Sequence, residues 1–213
     1  NRCRRQRQMC IRDRDKSRPG IIDSDNEHVL KIKWNDIEGL EELLNMHGND
    51  IACFISSPYD HPVSRDNSLP EEGYWKKITS LCKQYEVLTI VDDVRAGFRI
   101  NLGGSNVAFD FAPDMICFGK AIANGHPLAS LVGAEKLKHS AEKVYFTGTQ
   151  FFSAPPMAAA LATLDQLQKV NAPNKLIEYG ENLNKRLVKV AEKEGFNLIA
   201  SGIPSMPYYR LEM

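Results

Sequence analysis

A pair of acids and a lysine each follow an apolar segment of this sequence, at points where a strand would end. The segment Val87–Val91 runs directly into Asp92 and Asp93. The segment Met115–Phe118 is followed by one glycine and then by Lys120. Because ligands of parallel α/β sheets bind beyond the carboxyl ends of the strands, we expect these carboxylates and this amine at one edge of a sheet.

Asp92 is open to three interpretations. It is a solvated acid at a strand end, a phosphoacceptor or metal-binding acid as in receiver domains, or a carboxylate that faces a heterocyclic nitrogen. In the third case a charge-assisted, poorly screened pair keeps that nitrogen protonated. The receiver interpretation is disfavoured because the next apolar segment ends in Gly119-Lys120 and not in an aspartate. The residues alone leave the other two open.

Lys120 has a plain and a chemical interpretation. Most lysines are solvated surface groups, but this one follows an apolar strand segment and is flanked by the small residues Gly119 and Ala121. In a confined site the neutral amine of a lysine is a nucleophile that can form a Schiff base with a carbonyl compound. An amine of that kind beside a buried acid would be a catalytic constellation.

Alternating strand and helix patterns surround these residues and predict an α/β architecture with a mainly parallel sheet. Asn35 has the side chain of a helix N-cap, with Glu38 three residues on, and a short strand is expected before it at Val29–Lys33. Further strands are predicted at Ile51–Ile55, Val87–Val91, Met115–Phe118, Ala129–Val132, Phe196–Ile199 and Pro207–Leu211. Further helices are predicted at Pro70–Tyr85, Pro156–Val170 and Lys175–Glu194.

Charge and composition limit the class of protein. The 213 residues carry 27 basic and 27 acidic side chains, but residues 1–18 alone carry +6 and the remainder −6. An acidic body argues against a nucleic-acid partner, and no apolar run approaches the roughly 18 residues of a membrane span. The five cysteines form no Cys-x-x-Cys pair and have no histidine at ligand spacing, so we expect free thiols in a cytoplasmic protein and no metal site.

Three separated blocks of sequence resemble class III pyridoxal-phosphate aminotransferases of fold type I, and within them the glutamate-1-semialdehyde aminomutase branch. The first block, Val87–Arg99, reads VLTIVDDVRAGFR, and the second, Pro113–Gly133, reads PDMICFGKAIANGHPLASLVG. The third joins Gly148-Thr149 to the segment Pro155–Leu164. The resemblance covers residues 25 to 213. It implies a three-layer α/β/α large domain with a mainly parallel sheet, followed by the start of a small α+β domain.

The resemblance also implies roles for matching residues. Lys120 matches the Schiff-base lysine, which also serves as the catalytic base, and Asp92 matches the partner of the pyridine nitrogen of pyridoxal 5'-phosphate. Val94 matches the apolar residue against the cofactor ring. Thr149, with Thr147 as the alternative, matches the threonine that reaches a cofactor phosphate across the interface of a homodimer. Apart from the resemblance, Arg95 and Arg99 are candidates for binding a substrate carboxylate, although we expect Arg99 to brace the turn after the strand.

The sequence departs from the family pattern in three places. Asp93 stands where the family usually has glutamate, and Ser57-Pro58 stands where it often has Glu-Pro. The glycine- and serine-rich phosphate cup and the stacking aromatic residue, which the family carries upstream of residue 25, are not found in this sequence. We therefore expect a central fragment of a longer enzyme.

The implied function is pyridoxal-phosphate-dependent amino-group transfer on a small amino acid or amino aldehyde, as a transaminase or an aminomutase. The alternative is a catalytically inactive dimerisation or binding fragment that lacks the phosphate cup. The expected organisation has three segments: a basic leader over 1–20 that is foreign to the fold or disordered, a partial cofactor-binding domain over 21–171, and the start of a small domain over 172–213.

Overall fold

The computed structural model describes residues 28–62 and 64–212. The predicted basic leader, residues 1–20, lies outside the described residues. Contacts divide the chain into two units, Asn1–Lys33 and Trp34–Met213. In the first unit, residues 29–33 have no regular secondary structure, so the strand predicted there is wrong. The boundary proposed between residues 171 and 172 stays a prediction.

The second unit contains a four-stranded sheet with the order β1-β2-β3-β4. These strands are β1 (Cys53–Ser56), β2 (Leu88–Asp92), β3 (Met115–Phe118) and β4 (Ser130–Gly133). The first three are parallel and β4 runs antiparallel to β3, which confirms a mainly parallel sheet. A separate antiparallel hairpin joins β5 (Asn197–Ser201) to β6 (Tyr208–Glu212).

Helices connect and cover these strands. They are α1 (Ile37–His47), α2 (Tyr74–Gln84), α3 (Ser105–Ala108), α4 (Lys138–Glu142), α5 (Ala154–Lys169) and α6 (Ala172–Lys193), with short 3-10 turns at Lys120–Ala123 and Glu135–Leu137. Across the described residues, no helix combines the length and the apolar character that crossing a bilayer requires.

The first helix begins one residue later than its sequence pattern indicates. Asp36 is the N-cap, and its Oδ1 accepts a hydrogen bond of 2.8 Å from the backbone N–H of Gly39. Asn35 has a positive φ of 61°, and its side chain instead bonds the backbone of Leu69 and Glu71. The side chain of Asn35 does not cap the helix because it is hydrogen-bonded to a loop that follows more than 30 residues later in the chain.

Helix α2 holds the loop after β1 against the sheet. The buried indole of Trp75 stacks on Phe111 with ring centroids 4.4 Å apart, and its Nε1 donates a hydrogen bond of 2.9 Å to the carbonyl oxygen of Pro58. Tyr59, next to that proline, is fully buried. The carboxyl end of β1 is thus fixed beside that of β2, the edge at which ligands bind in such sheets.

Helix α6 has a glycine where the chain before β6 crosses it. A Cβ atom built on Gly180 would overlap the backbone carbonyl of Pro204. Glycine in a helix normally costs stability relative to alanine, so its presence here reflects the close approach of the two backbones.

We predict that Gly180→Ala lowers the free energy of unfolding by about 1–3 kcal/mol, because an added methyl group overpacks this contact. The control is Asn182→Ala, on an exposed position of the same helix. It should raise the free energy of unfolding by a few tenths of a kcal/mol, as helix propensity dictates. Chemical denaturation measures both. A Gly180→Ala variant more stable than the parent would contradict the close approach.

Candidate active site

The register between β2 and β3 brings the two candidate catalytic residues to the same edge of the sheet. Asp92, the last residue of β2, is paired with Cys117 of β3. The backbone N–H of Asp93 donates a hydrogen bond of 3.0 Å to the carbonyl oxygen of Cys117, which extends the pairing beyond the strand end. Lys120 lies three residues after Cys117. Since parallel neighbours lie about 4.8 Å apart, the two strand ends are adjacent.

Asp92 and Val94 form one side of this edge. Asp92 is partly exposed, and its Oδ1 accepts a hydrogen bond of 3.2 Å from the backbone N–H of Val94. Among the described residues Asp92 forms no ion pair, so its carboxylate can receive a further donor. The side chain of Val94 lies over Gly119, where a Cβ atom would come within 3.2 Å of its Cγ1. The valine thus links the end of β2 to the turn that carries Lys120.

Lys120 begins a short 3-10 turn with a left-handed backbone, at a φ of 45°. A non-glycine residue in this region costs of order 1–3 kcal/mol and is held there by its surroundings. The holding residues are Ile122 and Ala123, which are buried against Phe98 and Phe118. Lys120 itself is exposed. The apolar anchor fixes the turn while the amine remains accessible.

A cleft of about 460 Å³ opens beside this turn. Its lining includes Lys120, Phe98 and Arg99 on one side, and Thr163 and Gln166 of α5 on the other. This volume lies within the range of small-molecule sites. The cleft lies beside the turn that carries Lys120, and neither Asp92 nor Val94 lines it.

Asp93 is the buried acid at this strand end, and the sequence did not indicate its burial. It is 1% exposed, and its Oδ2 accepts a hydrogen bond of 2.8 Å from the backbone N–H of Ser105. Its Oδ1 accepts a second hydrogen bond from the Ser105 hydroxyl. Burial raises the pKa of Asp93 to about 6, against the opposing effect of the Ser105 donors. The one sequence signal was a second acid after the strand, with Gly-Gly-Ser twelve residues on.

Thr149 lies in the exposed segment 144–152. The backbone N–H of Phe151 donates to the carbonyl oxygen of Gly148 at 3.0 Å, which makes Thr149 part of a tight turn. Its side chain makes no hydrogen bond to another described residue. Phe151 and Phe152, which follow it, are exposed as well, at 43% and 76%.

The turn after β2 brings two arginines together. Arg99 Nη1 donates to the backbone carbonyl of Arg95, which confirms that Arg99 braces this turn. Arg95 Nη1 donates a hydrogen bond of 3.0 Å to the carbonyl oxygen of His61, whose ring packs at 4.9 Å against that of Tyr59. Within the described ranges, no group of three or more histidine, cysteine or acidic side chains is placed to hold a metal ion.

The residues at this edge fit the ring end of pyridoxal phosphate. Asp92 offers a carboxylate that forms no ion pair within the described part of the chain, Val94 offers an apolar surface beside it, and Lys120 offers an accessible amine after the neighbouring strand. The chemistry of this donor set matches the needs of a heterocycle with a basic nitrogen and an aldehyde. Within the described residues, Thr149 is a hydroxyl available for a phosphate.

Comparison with known proteins identifies the family. The family model described as aminotransferase class III matches residues 16–201, most of the chain. The chain therefore belongs to the class III aminotransferases. These are pyridoxal-phosphate-dependent enzymes, so the predicted family, fold class and cofactor are confirmed at that level.

The relatives include both a transaminase and an aminomutase. The chain is 35% identical over 188 residues to an aminopentol aminotransferase of Sphingopyxis macrogoltabida, covering 88% of this chain and 44% of the relative. It is 33% identical over 193 residues to a glutamate-1-semialdehyde 2,1-aminomutase of Legionella pneumophila strain Corby, covering 89% and 44%. The chain thus spans less than half the length of these curated relatives.

A solved structure shows the same fold. The FumI protein of Sphingopyxis sp. MTA144, in its PLP internal aldimine form, superposes with a TM-score of 0.87 at 34% identity. The match covers 91% of this chain and 47% of that one. The sheet and the turns around Asp92 and Lys120 therefore belong to a pyridoxal-phosphate fold.

We predict that Asp93 makes stability depend on pH between about 4 and 6. In the unfolded chain an aspartate loses its proton near pH 4, whereas folding raises the pKa of Asp93 to about 6. The folded state binds more protons in this window, so the free energy of unfolding falls as pH rises through it, by up to about 3 kcal/mol. Asp93→Asn should lack this fall.

The measurement is denaturant unfolding of the parent and Asp93→Asn at intervals from pH 4 to 7. The difference between the two curves isolates Asp93 from the other carboxylates. The matched variant Ser105→Ala removes a hydrogen-bond donor that stabilises the ionised form of Asp93. In this variant the free energy of unfolding should therefore continue to fall up to a higher pH than in the parent. Parallel curves for the parent and Asp93→Asn would show that Asp93 does not titrate in this window.

Proposed function

We propose that this protein transfers amino groups with pyridoxal phosphate, on a small amino acid or amino aldehyde. The observation that carries the proposal is the placement of Asp92 and Lys120 at adjacent ends of parallel strands, on the sheet of a class III aminotransferase. The names of the relatives support both a transaminase and an aminomutase, and the two share this residue set.

When bound, pyridoxal phosphate supplies an aldehyde that condenses with amines and a protonated ring that accepts electron density. Asp92 would hold the proton on the ring nitrogen, because a carboxylate forms a charge-assisted hydrogen bond with an N–H donor. Val94 would pack against the ring. The Lys120 Nζ would hold the aldehyde and, when its amine is free, would serve as general base and acid for the proton at the substrate carbon.

Dimerisation and location are part of the same proposal. The segment 144–152 exposes the large apolar side chains Val144, Tyr145, Phe146, Phe151 and Phe152. An exposed patch of this kind is typical of an interaction surface, and we propose that it faces a second copy, with Thr149 donating to the phosphate in the partner's site. Cys53, Cys82 and Cys117 are free thiols, which supports a cytoplasmic location.

We predict that Lys120 is the residue trapped by borohydride reduction in the presence of pyridoxal phosphate. The intact protein should gain the mass of the reduced cofactor on the peptide that contains Lys120, and Lys120→Ala should lose both this adduct and the visible absorbance of the bound cofactor. Lys143→Ala, at an exposed lysine, is the control and should keep both. An unchanged absorbance in Lys120→Ala would exclude the assignment, and a parent protein that shows neither adduct nor absorbance would favour the catalytically inactive alternative.

A substitution at Asp92 tests whether the cofactor can bind without being activated for amino transfer. Asp92→Asn keeps the shape but cannot hold a cation as a carboxylate does, so the rate of amino transfer should fall by more than about 100-fold while Lys120 is still trapped. Stopped-flow absorbance with an amino donor measures the rate. A variant with the parent's rate would show that Asp92 does not face the ring nitrogen.

The proposed action of Thr149 across the dimer interface is tested by mixing subunits of two variants, Thr149→Val and Lys120→Ala. Thr149→Val should weaken cofactor binding in its own homodimer, and Lys120→Ala cannot be trapped at all. In a mixed dimer the Thr149→Val subunit keeps its lysine and receives a threonine from its partner, so trapping should return on mixing. Mixed subunits that form dimers yet trap no more than Thr149→Val alone would show that Thr149 does not act across the interface.

A further inference from the structure

The loop between β1 and α2, described over residues 57–62 and 64–69, contacts both the turn after β2 and the β5–β6 hairpin. It begins at the carboxyl end of β1, beside the candidate site. Two backbone hydrogen bonds between Asp60 and Ser68, of 2.9 and 2.8 Å, close the loop on itself. Arg65 forms an ion pair with the Asp60 carboxylate. The loop is thus braced internally, and a shift at one side can be passed to the other.

The hairpin binds one side of this loop. The Nε–H of Arg210, on β6, donates to both carboxylate oxygens of Asp66 at 2.9 Å. The backbone N–H of Asn67 donates a hydrogen bond of 2.9 Å to the Ser201 hydroxyl oxygen, on β5. Gly202 permits this approach, since a Cβ atom there would come within 2.6 Å of the Asn67 amide nitrogen. Charge-assisted hydrogen bonds fix direction as well as distance, so the hairpin determines where this side of the loop lies.

The other side of the loop contacts the turn that follows Asp92. The fully buried ring of Tyr59 belongs to one apolar cluster with Ala96, which is fully buried as well. Arg95 Nη1 donates a hydrogen bond of 3.0 Å to the carbonyl oxygen of His61. Arg95 and Ala96 follow Asp92 by three and four residues. The position of the turn that carries Asp92 therefore depends on this loop.

The ion pair between Asp66 and Arg210 contributes little to holding the fold together. The two side chains are 38% and 37% exposed, and ion pairs of such exposure add little to stability. Apolar contacts hold the loop more strongly, because Ile203, between β5 and β6, is buried in the same cluster as Tyr59. Loss of the ion pair should therefore leave a folded protein in which the loop is less exactly placed.

We propose that Asp66 and Arg210 are positioning residues for amino transfer. Acting through the β1–α2 loop and its contact to Arg95, they hold the turn that presents the Asp92 carboxylate to the ring nitrogen. The inference rests on the proposed function, in which Asp92 has that role. Since the pair acts through Asp92, its loss should slow the same step as loss of the Asp92 carboxylate.

The test measures single-turnover amino transfer by the intact protein loaded with pyridoxal phosphate. The donors are L-alanine, L-glutamate, 4-aminobutanoate and propylamine, and the fastest donor with the parent is used for all variants. Asp66→Asn and Arg210→Gln should each lower the limiting rate by about 3- to 30-fold, while Lys120 is still trapped by borohydride. Both should unfold at a denaturant concentration close to that of the parent.

Asp165→Asn is the matched control. It removes an exposed ion pair of 2.7 Å to Lys169 on α5, which does not involve the β1–α2 loop. Its rate should equal that of the parent. Arg210→Lys keeps the charge but loses the planar guanidinium, so its rate should fall between those of the parent and Arg210→Gln.

A double-mutant cycle tests whether the pair acts through Asp92. In the Asp92→Asn background, Arg210→Gln should lower the rate by less than about twofold, because no carboxylate is left to position. A residue with a merely structural role would slow both backgrounds to the same extent. Asp66→Asn combined with Arg210→Gln should lose no more rate than the stronger single variant, since both remove one ion pair.

The outcomes separate the two proposals. If borohydride fails to trap Lys120, or no donor consumes the absorbance of the bound cofactor, the proposed function fails and this inference fails with it. If the parent reacts but Arg210→Gln keeps its rate, the positioning role alone is wrong. An equal loss of rate in the parent and in Asp92→Asn also overturns it, as does a failure of both Arg210→Gln and Arg210→Lys to fold.

Discussion

The parallel register between β2 and β3 is the constraint on which the candidate site depends. At its start, the Asp114 carboxylate accepts hydrogen bonds from the backbone N–H and the hydroxyl of Thr89, at 2.8 and 3.0 Å. At its end, the N–H of Asp93 reaches the carbonyl oxygen of Cys117. A slip of one residue would reverse the faces of every side chain on the strand. Both ends are therefore fixed by bonds that only one register can satisfy.

Several energetically unfavourable features lie at the sheet edge that this register creates. Lys120 has a left-handed backbone, Asp93 is an acid buried from water, and two arginines lie side by side. Strain and uncompensated charge of this kind persist only where the surroundings hold them, and they are characteristic of functional sites. Here the surroundings are the apolar cluster that contains Phe98 and Phe118.

The candidate site has a part that the sheet assembles and a part that it does not. Asp92, Val94 and Lys120 come from two neighbouring strand ends, which one chain can bring together by itself. Thr149 lies in the exposed apolar segment 144–152, outside any helix or strand. A surface of this kind gains stability only when another surface covers it. The placement of Asp92 and Lys120 is therefore a property of the sheet, whereas the proposed phosphate contact of Thr149 would require a second copy of the chain.

The sequence by itself determined the strands of the two sheets, the residues that follow them and the family, although the strand predicted at Val29–Lys33 was wrong. Met115–Phe118 is a strand with the predicted bounds, and Asp92 and Lys120 lie where the strand-end rule places them, because apolar runs and the residues that end them are local signals. Three motifs with compatible spacing identified the class III aminotransferases.

Only the tertiary structure decided the partners of polar groups that lie far apart in the chain. Asn35 lost its cap to Asp36 because Leu69 and Glu71 reach it, Asp93 is buried because Ser105 folds back onto it, and Arg99 faces the cleft without an acid. Hydrogen bonds and burial between distant segments depend on how the chain packs, and no local pattern records that.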